Sequence, residues 1–229
     1  MHTSEIPEGY IFLIDKPLTW TSFDVVKRMR GITKIKKIGH AGTLDPLATG
    51  LLIVCAGKFT KKINTVQDLD KEYTGTMFLG ASTPSFDRET EVDNTFDISD
   101  LTEEQIMAAV PQFTGEITQY PPIHSAVKID GQRAYKKARK GIEVKTRPRD
   151  VTVNEFKITR IELPEVDFVI NCTKGTYIRT IANDFGKALD NGAFLKTLRR
   201  TKIGEYNVDD AQTLEELQAT YIQPTSEDS

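Results

Sequence analysis

The stretch Gly39-His40-Ala41-Gly42-Thr43-Leu44-Asp45-Pro46-Leu47-Ala48-Thr49-Gly50 places one carboxylate, Asp45, in a short segment that contains three glycines and a proline. Glycine permits turns that other residues avoid, and proline restricts its own backbone. The run GLLIVCA that starts at Gly50 is continuously apolar, which predicts a buried strand. We therefore expect a rigid loop, anchored to a sheet, of the kind that holds a catalytic side chain in position. An isolated Asp-Pro pair would more often be a simple turn.

Strands and helices alternate irregularly on both sides of this loop. This order predicts an α+β fold with a mixed central β-sheet flanked by helices. No linker divides the chain, so we expect one catalytic domain over residues 1–229, with an insertion at about 119–150 where Pro, Gly, Lys and Arg accumulate. Strands are predicted at 10–14, 50–56, 72–79, 151–163, 166–172 and 194–208, and helices from Thr21 and at 58–66, 102–110, 177–189 and 214–221.

Charge is segregated along the chain, although the formal net charge is only −3. Residues 16–37 and 128–149 are basic, whereas residues 87–104 and the segment from Glu205 onward are acidic. Such separation produces positive faces that suit phosphate groups. The alternative is a pair of solvated helices with Lys and Arg on their outer sides. For the acidic segment 86–104 we expect a solvated surface, and the sequence does not indicate a function for it.

Several classes of protein are disfavoured by composition. No apolar run approaches the ~20 residues of a membrane helix and the start lacks a signal pattern, so we expect a cytoplasmic protein without a membrane partner. Cys55 and Cys172 lie in apolar runs, which favours buried, reduced thiols. The histidines, His2, His40 and His124, share no metal-ligand spacing with them, so no metal site is expected.

The twelve-residue loop resembles the catalytic motif of the TruB family of tRNA pseudouridine synthases. Further blocks resemble the family in the same order and cover the chain from about Tyr10 to its end: KPLTWTSFDVV (from Lys16), KEYTGTMFLG (from Lys71), QYPPIHSAVKIDGQRAYKKARKGIEV (from Gln119), CTKGTYIRTIANDFG (from Cys172) and LRRTKIG (from Leu198). The resemblance implies a pseudouridine synthase fold and isomerisation of the uridine at position 55, in the T-loop of tRNA, without a cofactor.

The resemblance also implies catalytic roles. Asp45 is implied as the nucleophile, attacking either C1′ of the sugar or C6 of the ring, and the residues do not decide between these routes. Arg179 is implied as the cation that keeps Asp45 ionised. Tyr73 is implied to lie against the flipped uracil and to help remove the C5 proton.

Further residues are implied to bind the extruded nucleotide. His40 would stack on it or contact phosphate, and Tyr177 and Leu198 would line the pocket together with Tyr73. Lys16 and Pro17 would shape the pocket wall, with Lys16 either structural or facing phosphate. Each has a plainer interpretation: the tyrosines and Leu198 as core residues, and His40 as a hydrogen-bonded loop histidine.

The basic insertion resembles the family's RNA-gripping thumb loop, which suits a segment that follows a phosphate backbone. The side chains implied in this grip are Lys128, Arg133, Tyr135, Lys136, Lys137, Arg139 and Lys140. The partner is then the T-stem-loop of tRNA, and we expect a monomer.

Three departures from the family pattern stand out. Thr19 occupies a position where the first motif often has glycine, so the local turn there can differ. His124 stands where bacterial relatives often carry tyrosine, so the contacts of the thumb loop with RNA can differ from those of the family. Many members continue into a C-terminal RNA-binding PUA domain, and we expect none here because only about 25 residues follow the last block.

Three other functions are considered. A non-catalytic RNA-binding or RNA-folding protein could share the scaffold and would tolerate loss of Asp45. A metal-dependent phosphotransferase usually needs a second carboxylate two residues after Asp45, where this chain has Leu47. A related enzyme could modify a different RNA.

Overall fold

The computed structural model describes residues 9–122, 128–129, 132–133 and 147–221. It confirms the predicted α+β class, with a central sheet and helices. The chain forms two compact units: the first contains the residues up to Lys71 and from Arg199 onward, and the second contains Glu72–Leu198. A single catalytic domain over residues 1–229 stays a prediction.

The first unit is built around strand β3 (Ala48–Ala56). Strands β1 (Tyr10–Lys16) and β2 (Ile38–Ala41) both pair with β3 in antiparallel register. The end of β12 (Ala193–Ile203) neighbours β3 and pairs with the short strand β13 (Tyr206–Asn207). The predicted long strand 194–208 therefore ends early, because Gly204 adopts a positive φ of 53° and turns the chain.

Strand β3 is buried on both faces, as its uninterrupted apolar run predicts. Leu52 and Val54 face a core formed with helices α1 (Ser22–Thr33) and α5 (Leu214–Tyr221). Leu51, Ile53 and Cys55 face a second core, which includes Val66 of helix α2 (Ile63–Asp68). Burying each large aliphatic side chain contributes about 1.5–3 kcal/mol, so β3 is a stable base for the loop that precedes it.

The first helix of this unit begins at a capping box, and the second differs from the prediction. Thr21 caps α1, since its hydroxyl accepts from the Asp24 amide while the Asp24 carboxylate accepts from the Thr21 amide. The helix predicted at 58–66 is only partly α-helical: Gly57–Lys62 is a 3-10 helix, and α2 follows it.

The second unit has the strand order β12, β4 (Lys71–Leu79), β11 (Glu165–Cys172), β10 (Arg149–Glu162) and β7 (Gly115–Gln119). Strands β10 and β11, which correspond to the predicted strands 151–163 and 166–172, form a hairpin that turns at Pro164, and alternate β11 residues are buried. The remaining elements are helices α3 (Glu103–Ala109) and α4 (Ile178–Ala188) and the short pairs β5 (Ala81–Ser82) with β6 (Asn94–Thr95) and β8 (Lys128–Ile129) with β9 (Gln132–Arg133).

Helix α4 is held by aromatic packing. Phe185 is fully buried, and its ring lies 5.5 Å from the rings of both Phe113 and Phe156. Cys172, at the end of β11, is a buried thiol, as is Cys55 of β3, in agreement with the prediction for both. This packing holds in place the helix that carries Arg179 in its first turn.

Candidate active site

The loop between β2 and β3 presents Asp45 as the sequence predicts. Asp45 is half-buried, while its neighbour Leu44 is buried at the base of the loop. The Leu44 amide donates to the Ser22 hydroxyl at 2.9 Å, and the Ala48 amide donates to the Asp45 carbonyl at 3.1 Å. The loop is thus tied to the start of α1 and closed on itself. Because one of these hydrogen bonds anchors the loop to Ser22 and the other closes it, the carboxylate is held on a stiff support.

Lys16 lies under this loop rather than on its surface. Its side chain is fully buried, and its ammonium donates to the carbonyls of Trp20 (2.6 Å), Pro17 (2.9 Å) and Pro46 (3.4 Å). Burial lowers the pKa of Lys16 to about 8, and the nearby Asp45 carboxylate opposes that shift. Three acceptors occupy the ammonium, which supports the structural alternative for Lys16 over contact with phosphate.

The pKa of Lys16 gives a testable pH dependence of stability. Between pH 8 and the ordinary lysine pKa of 10.5, the unfolded chain binds a proton that the folded chain has released. The free energy of unfolding contributed by Lys16 should therefore rise with pH across this window, by at most about 1.4 kcal/mol per pH unit. Urea denaturation of the wild type and of Lys16→Met at pH 7.5 to 10 measures it as the difference between the two proteins. A difference independent of pH would contradict the assignment.

Thr19 keeps the conformation that glycine would favour at its position. Its φ is +70°, and its amide donates to the Pro46 carbonyl at 2.8 Å. The turn beside the Asp45 loop therefore has the left-handed conformation that suits glycine, although Thr19 occupies the position, at a conformational cost of about 1 kcal/mol. Pro17, in the same turn, is exposed.

His40 lies in β2 and is half-buried. Its Nδ1 atom is buried and has no hydrogen-bond partner within the described part of the chain. Burial lowers the pKa of His40, and the Arg200 guanidinium lowers it further. The imidazole is therefore neutral at neutral pH, the form suited to stacking on a base.

Arg179, near the start of α4, is buried in the second unit and not at its surface. Its Nη1 lies 3.6 Å from Oδ2 of Asp87 and donates to the Ser85 carbonyl at 3.4 Å. Asp87 is itself buried, and its other carboxylate oxygen accepts from the Glu89 amide at 2.8 Å. The expectation of a solvated acidic segment is thus wrong at Asp87, although residues 91–97 are exposed. A buried aspartate positions the predicted catalytic arginine.

Tyr177 is held from two sides by residues at the two ends of the predicted insertion. The Gln119 side chain accepts from the Tyr177 amide at 3.0 Å and donates to the Tyr177 carbonyl at 3.2 Å. The Arg149 guanidinium lies over the Tyr177 ring, 5.3 Å from its centroid. Gln119 is 2% exposed, so its two hydrogen bonds are shielded from water. The backbone two residues before Arg179 is thereby fixed.

Replacing Gln119 with Met should slow catalysis while leaving the protein folded. Two hydrogen bonds are lost, at about 0.5–1.5 kcal/mol each, and the Tyr177 backbone gains freedom. We expect the single-turnover rate constant to fall by roughly tenfold or more, since small misplacements in an active site are costly. Single-turnover pseudouridine formation measures this, with the exposed Gln112→Met as the matched control. Equal rates in both variants would argue against a positioning role.

The other predicted residues are placed as follows. Tyr73 lies in β4 and is 9% exposed, and Leu198 lies in β12 and is half-buried. Lys128 and Arg133 fall in β8 and β9. Six of the residues named above lie outside the described residues: His124 and the thumb residues Tyr135, Lys136, Lys137, Arg139 and Lys140. The first unit thus holds Lys16, Pro17, His40 and Asp45, and the second holds Tyr73, Tyr177, Arg179 and Leu198.

The residues that the structure describes contain no group of three or more His, Cys, Asp or Glu side chains that could hold a metal ion. No helix among them is both long enough and apolar enough to cross a membrane.

Comparison with protein-family models defines the class. A model described as "TruB family pseudouridylate synthase (N terminal domain)" matches residues 30–178, and one described as "tRNA pseudouridylate synthase B C-terminal domain" matches residues 179–229. The first match alone covers more than half of the chain. Together with the α+β fold and the Asp45 loop, these matches define a pseudouridine synthase, which is an isomerase.

Individual proteins agree with this assignment. The chain is 55% identical over 218 residues to tRNA pseudouridine synthase B of Flavobacterium johnsoniae, covering 92% of this chain and 95% of that protein. It is 50% identical over 216 residues to the protein of the same name from Chloroherpeton thalassium, covering 92% and 90%. The chain therefore belongs to the TruB family of tRNA pseudouridine synthases, which contradicts the phosphotransferase alternative.

Solved structures share the fold at lower identity. One titled as a Cbf5-Nop10-Gar1 complex is 30% identical with a TM-score of 0.72, covering 95% of this chain and 56% of that one. An archaeal box H/ACA Nop10-Cbf5 complex is 27% identical with a TM-score of 0.70, covering 95% and 55%. The chain thus spans about half the length of these structural relatives.

Proposed function

We propose that this protein converts the uridine at position 55 in the T-loop of tRNA to pseudouridine, with Asp45 as the nucleophile. The observation that carries the proposal is the Asp45 loop: a half-buried carboxylate on a closed, hydrogen-bonded turn, beside the ammonium of Lys16. The names of the relatives at 50–55% identity support tRNA as the substrate.

The reaction exchanges one bond for another within the nucleotide. The N1–C1′ bond breaks, the uracil turns, and a C5–C1′ bond forms as the C5 proton leaves and N1 gains one. No electrons or groups are imported, so the chemistry needs no cofactor. An ionised carboxylate such as Asp45 can trap C1′ covalently or add to C6.

The substrate base must leave its stack before Asp45 can reach it. We assign Tyr73, Tyr177 and Leu198 to the contacts with the extruded base, and His40 to stacking in its neutral form. The fixed backbone of Tyr177 supports this assignment, because a pocket residue held by Gln119 and Arg149 loses little freedom on binding. We assign Arg179, oriented by Asp87, to the support of the carboxylate chemistry.

The deciding experiment maps pseudouridine at nucleotide resolution after incubation with an unmodified tRNA transcript. Product at position 55 supports the proposal. Product at another uridine would retain the enzyme class and reject the T-loop assignment. Tight tRNA binding without any product would instead favour an RNA-binding or RNA-folding protein.

Binding of tRNA should weaken steeply with salt. We propose that the basic insertion neutralises several phosphates, and each neutralised phosphate on a duplex adds about −0.9 to the slope of log K against log salt concentration. Filter binding between 50 and 200 mM KCl (roughly the range over which such losses are seen) measures the slope. A slope near zero would count against the basic insertion as the RNA grip.

A further inference from the structure

Arg200, in the part of β12 that belongs to the first unit, is a buried cation that the proposed chemistry does not use. It is 1% exposed and is among the largest fully buried side chains within the described ranges. A cation in a protein interior is costly unless its donors are satisfied. Its Nε donates to the Leu51 carbonyl at 2.8 Å, and its Nη2 donates to the Gly42 carbonyl at 3.1 Å.

These two carbonyls lie on opposite sides of Asp45 in the chain. Gly42 follows the end of β2, and Leu51 lies in β3, so one guanidinium joins the entry and the exit of the catalytic loop. Arginine suits this task because its planar group presents several donors in fixed directions. A lysine ammonium at the same place could not reproduce the two separated contacts.

Two glycines of the loop lie against Arg200. A Cβ atom at Gly50 would lie 2.3 Å from the Arg200 carbonyl oxygen, which no other residue could accommodate without moving the backbone. Gly42 has a φ of +85°, and a Cβ atom there would lie 3.6 Å from Nη1 of Arg200. Two glycines of the motif therefore adjoin the same arginine.

Arg200 also acts on the charges around the loop. Its guanidinium helps to lower the pKa of His40 and that of Lys16, although burial is the larger cause for both. The groups that act on Lys16 include the carboxylates of Asp45, Asp15 and Asp24. The Gly42 backbone acts in the opposite direction and raises the pKa of His40. The loop that carries Asp45 therefore contacts two buried cations, Lys16 through the Pro46 carbonyl and Arg200 through the Gly42 carbonyl.

We propose that Arg200 is a positioning residue of the loop that carries Asp45, because it fixes the backbone on both sides of that carboxylate. The inference rests on the proposed function of Asp45. It predicts that Arg200 affects the rate of the chemical step more than the binding of tRNA, because the residue acts through the loop and not on the substrate.

The neighbouring arginine provides a matched control. Arg199 lies in the same strand, but its side chain is 40% exposed and pairs with both carboxylate oxygens of Asp15. We would compare Arg200→Lys with Arg199→Lys, and Arg200→Met with Arg199→Met, in the full chain. Single-turnover rates, tRNA dissociation constants and urea denaturation are measured for each.

We expect Arg200→Lys to lower the single-turnover rate by roughly 10- to 100-fold, with tRNA affinity within about twofold of wild type, since a displaced loop misaligns the carboxylate. Arg199→Lys should retain the wild-type rate within about twofold. A rate loss for Arg200→Lys that only follows the fraction of unfolded protein, or an unchanged rate, would overturn the proposal.

A spectroscopic readout separates positioning from loss of stability. The chain contains three histidines, so ¹⁵N-histidine NMR with His40→Gln for assignment can follow the titration of His40. We expect the pKa of His40 to stay low in Arg200→Lys and to rise towards its ordinary value in Arg200→Met. An unchanged titration of His40 in Arg200→Met would show that the Arg200 guanidinium does not act on the charges around the loop, and would count against the proposal. If wild-type protein forms no pseudouridine, the proposed function fails instead, whatever the histidine titration shows.

Discussion

Substitution of Asp45 by Asn or Ala should abolish pseudouridine formation while tRNA binding is retained. Removing a covalent nucleophile typically lowers turnover by factors of roughly 10⁴ or more. Asn preserves the shape of the side chain but cannot attack a carbon as a carboxylate does. The loop should keep its structure, because its backbone bonds to Ser22 and Ala48 do not involve the carboxylate. Single-turnover assays with excess enzyme measure the loss directly.

An exposed aspartate serves as the control for this experiment. Asp93→Asn removes the same charge at an exposed position of the second unit and should leave the rate within about twofold of wild type. Residual turnover of Asp45→Ala within tenfold of wild type would reject Asp45 as the nucleophile. Loss of tRNA binding together with turnover would mean that Asp45 serves the fold or the RNA contact instead.

The buried pair of Asp87 and Arg179 should be strongly coupled in a double-mutant cycle. Their charged atoms lie 3.6 Å apart, and the side chains are 8% and 4% exposed. Removing one member of a buried pair leaves the other charge uncompensated, at a cost of about 3–5 kcal/mol. Asp87→Asn and Arg179→Gln should each destabilise the protein by this amount, and the double variant should lose clearly less than the sum.

The same variants test the catalytic role of the arginine. We expect product to form at least roughly 100-fold more slowly in each single variant, because Arg179 loses either its charge or its orientation. Urea denaturation and single-turnover assays on all four proteins complete the cycle. Additive losses in stability would show that the two residues do not act as a pair.

Local signals made much of the fold predictable. The Thr21–Asp24 capping box marks the start of α1, the alternation in β11 marks a strand with one buried face, and the apolar run of β3 marks a strand covered on both sides. Each of these patterns is complete within a dozen residues. The loop around Asp45 could be predicted equally well, because its glycines and proline all lie within twelve consecutive residues.

The residues that sequence patterns did not indicate are defined by contacts with residues far away in the sequence. Asp87 stands in an acid-rich segment like its exposed neighbours, and only its pairing with Arg179, 92 positions later, distinguishes it. Arg200 was overlooked because an arginine in a strand is ordinarily exposed, whereas here two backbone carbonyls accept from it. The early end of β12 depends on the turn at Gly204, whose amide donates to the Asp70 carbonyl.

The two buried thiols can serve as natural probes of local unfolding. Cys55 lies in the first unit and Cys172 in the second, and the sequence has no other cysteine. An alkylating reagent can reach either sulfur only when the surrounding strand separates from its neighbours. The two modification rates are resolved by peptide mass spectrometry. They therefore report separately how often each unit opens locally, without the introduction of a label.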